Sequence, residues 1–268
     1  MIRFAIVGTN WITRQFIDAA HETGKMKLHG VYSRQQSQAD AFIADYPCKQ
    51  TFTSLDDLAA SPEIDAVYIA TPHTGHAEWA IKAVRAGKHV LVEKPIALSA
   101  YDADVIFYEA KKAGVFIGEA YMYLFHPQTQ RLIELVKQGV IGDVRLIRSS
   151  FGFDMGGFRP EHRLFSNDLA GGGILDVGGY PVSMVRLLAG AASGASYVEP
   201  VSVSGAAHLG QSVLQDAAHT LLYELLAILL NLFNRMMVER QAIATVFDNT
   251  IHLLLELFIQ RSQTIAHI

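Results

Sequence analysis

The sequence has very little cysteine and no dense cluster of basic charge, and both absences narrow what the protein can be. Cys48 is the only cysteine in 268 residues. An intrachain disulfide is therefore excluded, and so is a zinc site built from several cysteines. Lysine and arginine number 22 against 26 acidic residues, for a net charge of -4. This balance argues against nucleic acid as the main partner.

Long apolar runs are also scarce. The uncharged stretch of residues 225–234 is too short for a membrane span, which needs about 20 residues. The sequence begins with the strand-like run of residues 2–7 and lacks the basic-then-apolar layout of a secretory signal peptide. We therefore expect a cytoplasmic protein without a membrane partner.

Short apolar runs alternate with helical periodicity up to about residue 121. The pattern predicts strands at residues 2–7, 27–32, 66–70, 89–92 and 115–118, with helices at residues 10–23, 36–45, 74–86 and 100–113. Gly87 and Gly114 close the last two helices, as glycine commonly does. Alternating strands and helices with short links predict a doubly wound parallel sheet of the α/β class. We assign residues 1–121 to a Rossmann-type NAD(P)-binding domain.

The pattern changes after residue 121. Helices are predicted at residues 127–138 and from about 176 to 188, and longer strands at residues 144–153 and 197–205. These elements predict a second domain, of the α+β class, over residues 122–212. Residues 213–268 contain no glycine and no proline, and this composition predicts a very apolar helical tail.

The turn after the first strand is a candidate pyrophosphate site. It carries five candidate cofactor contacts: Gly8, Thr9, Asn10, Trp11 and Ile12. A glycine here lets the backbone turn tightly, and the following helix N-terminus supplies free N–H groups. The full G-x-G-x-x-G fingerprint is incomplete, because Asn10 and Thr13 occupy the other glycine positions. An ordinary strand-to-helix turn is the alternative.

Ser33 and Arg34 follow the second strand, where the adenosine ribose of a dinucleotide lies in this fold. An acidic residue there binds the free 2′-hydroxyl of NAD, whereas arginine accommodates the 2′-phosphate of NADP. The pair therefore favours NADP, with a solvated loop arginine as the alternative.

The segment after the third predicted strand adds four candidate cofactor contacts: Thr71, Pro72, His73 and His76. Ligands bind beyond the carboxyl ends of the strands in open α/β sheets, so these residues are well placed for cofactor or substrate. No third metal ligand is evident beside the two histidines, and we predict no metal site.

The tripeptide Glu93-Lys94-Pro95 ends the apolar run of residues 89–92, which is typical of a buried parallel strand. Lys94 is therefore a candidate catalytic cation, and Glu93 and Lys94 are candidate cofactor contacts. A solvated charged strand end is the alternative. Asp176 and Tyr180 are four residues apart, on one face of a predicted helix. Tyr180 near Lys94 would exchange a proton with a substrate hydroxyl, and Asp176 would orient the lysine or the substrate.

These residues belong to segments that resemble the glucose–fructose oxidoreductase and inositol dehydrogenase family (Gfo/Idh/MocA). The segments are residues 5–12, 70–73 with His76, 93–95, 118–123 and 171–180. The Glu-Lys-Pro turn, together with the spacing of Gly171-Gly172-Gly173, Asp176 and Tyr180, is highly specific. The resemblance covers roughly residues 1–210.

The resemblance implies a two-domain NAD(P)-dependent oxidoreductase whose second domain has a large open sheet and commonly mediates homo-oligomerisation, for instance as a dimer. Lys94 and Asp176 match the family's catalytic positions, and Tyr180 stands where members have histidine or tyrosine. Tyrosine there, with Ser33-Arg34, resembles the dihydrodiol dehydrogenase and NADP-dependent xylose dehydrogenase branch. That branch implies NADP, with NAD as the alternative, and a cyclic sugar or vicinal diol as substrate. Arg163 matches a loop arginine that approaches cofactor or substrate.

The family pattern of strands and turn glycines does not continue after about residue 212. Our hypothesis is that a frameshift or altered splice replaced the C-terminal sheet; a pair of buried core helices is the alternative. The leading interpretation is an active sugar or diol dehydrogenase, and the second is an NADP-binding protein whose catalysis is impaired by the missing sheet. A sugar hydrolase that uses the cofactor transiently is a third interpretation, disfavoured by the redox-type Lys94, Asp176 and Tyr180.

Overall fold

The computed structural model describes residues 1–155, 157, 159 and 161–205. These residues belong to two compact units, one of Met1–Met122 and one that starts at Tyr123. The tail predicted over residues 213–268, and with it the hypothesis of a replaced C-terminal sheet, lies outside the described residues.

The described residues of the first unit form a six-stranded parallel sheet in the order β3-β2-β1-β4-β5-β6. Its strands are β1 (Ile2–Val7), β2 (Met26–Tyr32), β3 (Gln50–Phe52), β4 (Ala66–Ile69), β5 (His89–Val92) and β6 (Ile117–Glu119). The strand order reverses between β1 and β4, which are neighbours in the sheet. Ligands bind at such a switch point, beyond the carboxyl ends of the strands. The predicted doubly wound α/β fold is confirmed.

Five helices connect these strands within the first unit. They are α1 (Trp11–Glu22), α2 (Gln36–Asp45), α3 (Leu55–Ala60), α4 (His76–Arg85) and α5 (Ala100–Ala113). The helix predicted at residues 74–86 is a 3₁₀ turn, His73–Gly75, followed directly by α4. The core lies between the sheet and these helices, and every residue of β4 is buried. Burial on both faces explains why β4 reads as a continuous apolar run.

The described part of the second unit contains two longer helices, α6 (Pro127–Lys137) and α7 (Gly179–Ser193). A π-helical turn, Ile174–Gly178, leads directly into α7. The two helices share a small apolar core with the segment between them, formed by Val136, Ile147, Val185, Leu188 and Ala191.

The strands predicted at residues 144–153 and 197–205 do not form in the described part of the second unit. A strand must pair its backbone with a neighbouring strand, and the described residues from 123 onward contain no such neighbour. The alternation in residues 144–153 is also not matched by burial. Ile147 is 9% exposed, whereas Phe151 and Phe153 are 46% and 52% exposed.

Candidate functional site

The turn between β1 and α1 requires glycine at Gly8. Its φ angle is +109°, and a Cβ atom there would lie 2.5 Å from the carbonyl oxygen of Ala70, just beyond β4. Any side chain would therefore force the β1 turn away from the β4 loop. Close backbone approach at the switch point is the geometry that a pyrophosphate site needs.

Asn10 and Thr13 replace the two missing glycines of the fingerprint with hydrogen bonds. The Asn10 side chain donates from Nδ2 to the Ala70 carbonyl at 2.6 Å and accepts the Thr13 N–H at 3.2 Å, which caps α1. The buried Thr13 hydroxyl donates to the Gly8 carbonyl at 3.0 Å. The turn is thus braced by side chains where the fingerprint would use glycine.

The remaining residues of this turn lie at its surface. Trp11 is 66% exposed, and Thr9 and Ile12 are half-buried. The first turn of α1 holds no acidic residue. Its N-terminal N–H groups and helix dipole therefore favour an anion.

Ser33 and Arg34 lie one strand further along the same edge of the sheet. Val7 pairs with Tyr32, so the turns after β1 and β2 begin side by side. Ser33 is buried, and its hydroxyl donates to Gln38 Oε1 at 3.0 Å. Arg34 is exposed. A guanidinium at this position is available to a ligand phosphate.

The segment after β4 places Thr71 half-buried and Pro72 exposed, with His73 and His76 buried beneath them. The His76 ring is 0% exposed. Its Nδ1 lies 2.7 Å from the Pro95 carbonyl oxygen and its Nε2 lies 2.9 Å from the Thr71 carbonyl oxygen. The cofactor contacts expected of the two histidines stay predictions.

The Glu93-Lys94-Pro95 turn continues β5 at the carboxyl edge of the sheet, and its Lys94-Pro95 bond is cis. The Glu93 N–H donates to the Ile69 carbonyl at 2.8 Å. The Tyr68 hydroxyl, from β4, donates to Glu93 Oε1 at 2.7 Å. Lys94 itself is half-buried.

The Glu119 side chain holds the residue that follows this turn. Glu119, at the end of β6, accepts the Ile96 N–H at 2.7 Å. Burial raises the pKa of the Glu119 carboxyl, and the charge of Glu93 adds to the rise, whereas the Ile96 hydrogen bond and Lys94 oppose it.

Sequence reasoning missed the roles of Tyr68 and Glu119. Tyr68 stands in an apolar run, a pattern that indicates a core residue. Its side chain is indeed buried, and its ring stacks on Phe16 with the ring centroids 3.8 Å apart. Glu119 lies in the family-like segment of residues 118–123, and a carboxylate at a strand end was the available signal.

The second unit brings Arg163 and Asp176 together. Asp176 lies in the π-helical turn and is 6% exposed. Its Oδ1 is 3.5 Å from Nη2 of Arg163. A Cβ atom on Gly171 would lie 2.6 Å from the Arg163 carbonyl oxygen, so the triple glycine allows this loop to approach. π-helical turns occur frequently at functional sites.

Tyr180 lies in the first turn of α7, among aromatic rings. Its ring centroid is 5.1 Å from that of Phe151 and 5.6 Å from that of Tyr123. The Tyr123 and Ser183 hydroxyl oxygens are 2.7 Å apart. Lys94 belongs to the first unit, and Asp176 and Tyr180 to the second, so their joint action stays a prediction.

Among residues 1–205 as described, no group of three or more His, Cys, Asp or Glu side chains is arranged to hold a metal ion. In the same part of the chain, the helices are all too short or too polar to cross a membrane.

A Rossmann strand order with a glycine turn at the switch point defines a dinucleotide-binding α/β protein. Residues 2–121 match the GFO_IDH_MocA family model, described as the oxidoreductase family with an NAD-binding Rossmann fold. Residues 129–243 match the GFO/IDH/MocA C-terminal domain. The chain therefore belongs to the Gfo/Idh/MocA family. The second match continues to residue 243, so the expectation that the family pattern ends at about residue 212 is wrong.

Characterised relatives carry related dehydrogenase names. The scyllo-inositol 2-dehydrogenase (NADP(+)) IolU of Bacillus subtilis is 36% identical over 203 residues, which are 71% of this chain and 59% of IolU. The trans-1,2-dihydrobenzene-1,2-diol dehydrogenase of Mus musculus is 30% identical over 223 residues, 82% of this chain and 64% of the mouse protein.

A solved structure gives a similar result. KijD10, a 3-ketoreductase from Actinomadura kijaniata in complex with NADP and TDP-benzene, has 30% sequence identity and a TM-score of 0.64. The match covers 70% of this chain and 57% of KijD10. This chain thus spans less than two thirds of the length of each of these proteins.

Proposed function

We propose that the protein is an NADP-dependent oxidoreductase that transfers a hydride between NADP and a hydroxyl or carbonyl carbon of a sugar or cyclic diol. The observation that carries this proposal is the position of the Glu93-Lys94-Pro95 turn, which we call the Lys94 turn. Lys94 is a half-buried lysine at the carboxyl edge of a Rossmann sheet in a chain of this family, and this position supports a role beside the cofactor, because ligands of such sheets bind beyond the carboxyl ends of the strands.

The residues around the switch point fit a phosphorylated dinucleotide. Gly8 leaves room where a Cβ atom would clash, and the N-terminus of α1 has no acidic residue in its first turn. The exposed Arg34 supports the 2′-phosphate of NADP. The nicotinamide would supply the hydride, because no side chain can carry one. The name of IolU includes NADP, and the structure of KijD10 is a complex with NADP.

The proton that accompanies the hydride is assigned to side chains of this chain. Lys94 and Tyr180 would hold and transfer the proton of the substrate hydroxyl. Asp176, paired with Arg163, would orient the substrate. The relatives act on inositol and on a cyclic diol by name, which supports a ring-shaped polyol or diol as the substrate class.

A screen of aldoses, inositols and cyclic diols with NADP, run beside an NADPH fluorescence titration, tests the proposal. We expect NADPH binding and turnover of at least one such substrate. Absence of NADPH binding would overturn the proposal. Binding without turnover would favour the alternative of an impaired NADP-binding protein. The comparisons do not favour that alternative, because the C-terminal domain match extends to residue 243.

Tyr180→Phe is expected to lower kcat by roughly 10²- to 10⁴-fold, the usual contribution of a general acid or base. NADPH affinity should change little, because phenylalanine keeps the ring beside Phe151 and Tyr123. Steady-state kinetics and NADPH titration measure the two effects. Tyr108→Phe is the control, since Tyr108 is 66% exposed on α5. An unchanged kcat in Tyr180→Phe would remove the hydroxyl from the mechanism.

Arg34→Ala is expected to weaken NADPH binding by about 10- to 100-fold, the size of a lost charge-assisted hydrogen bond. NADH affinity should stay within a few-fold, because NADH lacks the 2′-phosphate. Parallel titrations with the two cofactors check this. The control is Arg131→Ala, whose side chain is 59% exposed on α6. Equal losses for both cofactors would contradict a specific 2′-phosphate contact.

A further inference from the structure

His76 occupies an unusual position at the start of α4. Its ring is 0% exposed, and each ring nitrogen faces a main-chain carbonyl oxygen, Thr71 at 2.9 Å and Pro95 at 2.7 Å. A neutral imidazole has a single N–H and can donate to one carbonyl only, whereas an imidazolium donates from both nitrogens. In the neutral form, a nitrogen lone pair would face a carbonyl lone pair at close range.

The two carbonyls belong to different parts of the candidate site. Thr71 follows Ala70, whose carbonyl oxygen accepts from Asn10 and lies against Gly8. Pro95 follows Lys94 in the cis turn. The His76 ring therefore joins the loop that shapes the cofactor turn to the turn that carries the lysine.

We propose that His76 is a positioning residue that is protonated on both ring nitrogens and donates to the Thr71 and Pro95 carbonyls. This bridge fixes the position of Lys94 relative to the loop at Thr71. This inference rests on the proposed function only for the role of Lys94. Tyr68 and Glu119 hold the neighbouring residues of the same turn, and the His76 ring contacts a carbonyl oxygen in each of the two loops.

The charge on His76 must overcome two opposing effects. Complete burial and a place in the first turn of α4 both disfavour a cation. Two carbonyl acceptors favour it. His73 lies beside the ring, with its ring centroid 5.8 Å away. Glu93 and Lys94 are the charged side chains of the contacted turn; a carboxylate there favours an imidazolium and an ammonium opposes it.

Nitrogen NMR of the full chain, labelled with ¹⁵N-histidine, tests the bridge without any assay of activity. We expect two protonated ring nitrogens for His76 at neutral pH, identified by their absence in His76→Gln. An unprotonated ring nitrogen at His76 would overturn the proposal. This result does not depend on whether the chain turns over a sugar, so it separates the bridge from the proposed function.

Kinetics test the positioning role. His76→Ala is expected to lower kcat by about 10- to 100-fold, since displacement of a reacting group by about 1 Å has effects of this size. NADPH affinity should stay within a few-fold. The glutamine side chain of His76→Gln can still donate to one carbonyl, so its kcat should fall less than that of His76→Ala. This second variant keeps the test informative if the alanine variant does not fold.

His89→Gln is the matched control. His89 is a half-buried histidine at the amino end of β5 that accepts the Phe116 N–H at 3.0 Å, away from the Lys94 turn. We expect it to affect stability more than kcat. If His76→Ala keeps the wild-type kcat, or if His89→Gln lowers kcat equally, the positioning role is wrong. If the wild type binds NADPH but shows no turnover, the proposed function fails and the NMR result still decides the bridge.

Discussion

Lys94→Ala is expected to abolish measurable turnover and to leave NADPH affinity within a few-fold. General acid–base catalysis contributes about 10²- to 10⁴-fold, and this variant also removes the cation that would stabilise a substrate alkoxide. The Lys94 turn is held by Tyr68 and Glu119 through Glu93 and the Ile96 N–H, so loss of the ammonium should not unfold the turn. Steady-state kinetics and NADPH fluorescence titration measure the two effects separately.

The control for Lys94 is Lys111→Ala, because Lys111 is an exposed lysine in the last turn of α5. It should keep wild-type kcat and wild-type cofactor affinity. If Lys94→Ala retains normal rates, Lys94 is not the catalytic cation. If it loses NADPH binding as strongly as turnover, the lysine acts on the cofactor and not on the substrate proton.

The Gly8→Ala variant is expected to lose stability and cofactor binding together. The new Cβ atom would lie 2.5 Å from the Ala70 carbonyl oxygen and 2.9 Å from its carbon, at a φ of +109°. Backbone strain of this kind destabilises the folded state by roughly 1–3 kcal/mol. Relief of the clash must move the β1 turn away from the β4 loop, so we expect NADPH affinity to fall by at least about 10-fold.

Gly114→Ala is the control that separates the effect of backbone strain from the effect of the clash with Ala70. Gly114 also has a positive φ, +67°, but a Cβ atom there would meet nothing within 4 Å. It should lower the free energy of unfolding, measured by urea denaturation, without changing the NADPH titration. Wild-type NADPH affinity in Gly8→Ala would show that the β1 turn does not bind the cofactor's phosphates.

Local patterns in the sequence predicted most of the first unit. The predicted bounds of β1, α2, β5 and α5 are those of the structure, because buried parallel strands appear as apolar runs and helices end at recognisable signals. β3 and α3 were not predicted. They span 3 and 6 residues, which is too few to show a period.

The second unit was harder to predict. The helix before the glycine cluster was placed correctly. After the cluster, a π-helical turn begins at Ile174, and α7 begins at Gly179 and ends at Ser193, both later than the predicted bounds of about 176 and 188. The strands predicted from alternating residues do not form in the described part, since a strand depends on a partner strand, whose distance along the chain no local pattern records. Alternation alone does not supply that partner.

The sequence by itself determined the family, the parallel sheet and the position of Lys94 at a strand end, because these follow from local periodicity and short motifs. Only the tertiary structure decided how the site is held together. It placed Asn10 on the Ala70 carbonyl and gathered Tyr68, His76 and Glu119 around the Lys94 turn. These contacts join residues that are 19 to 60 positions apart in the sequence. Strand order and crossover connections decide which distant residues come into contact, and a local sequence pattern carries no information about either.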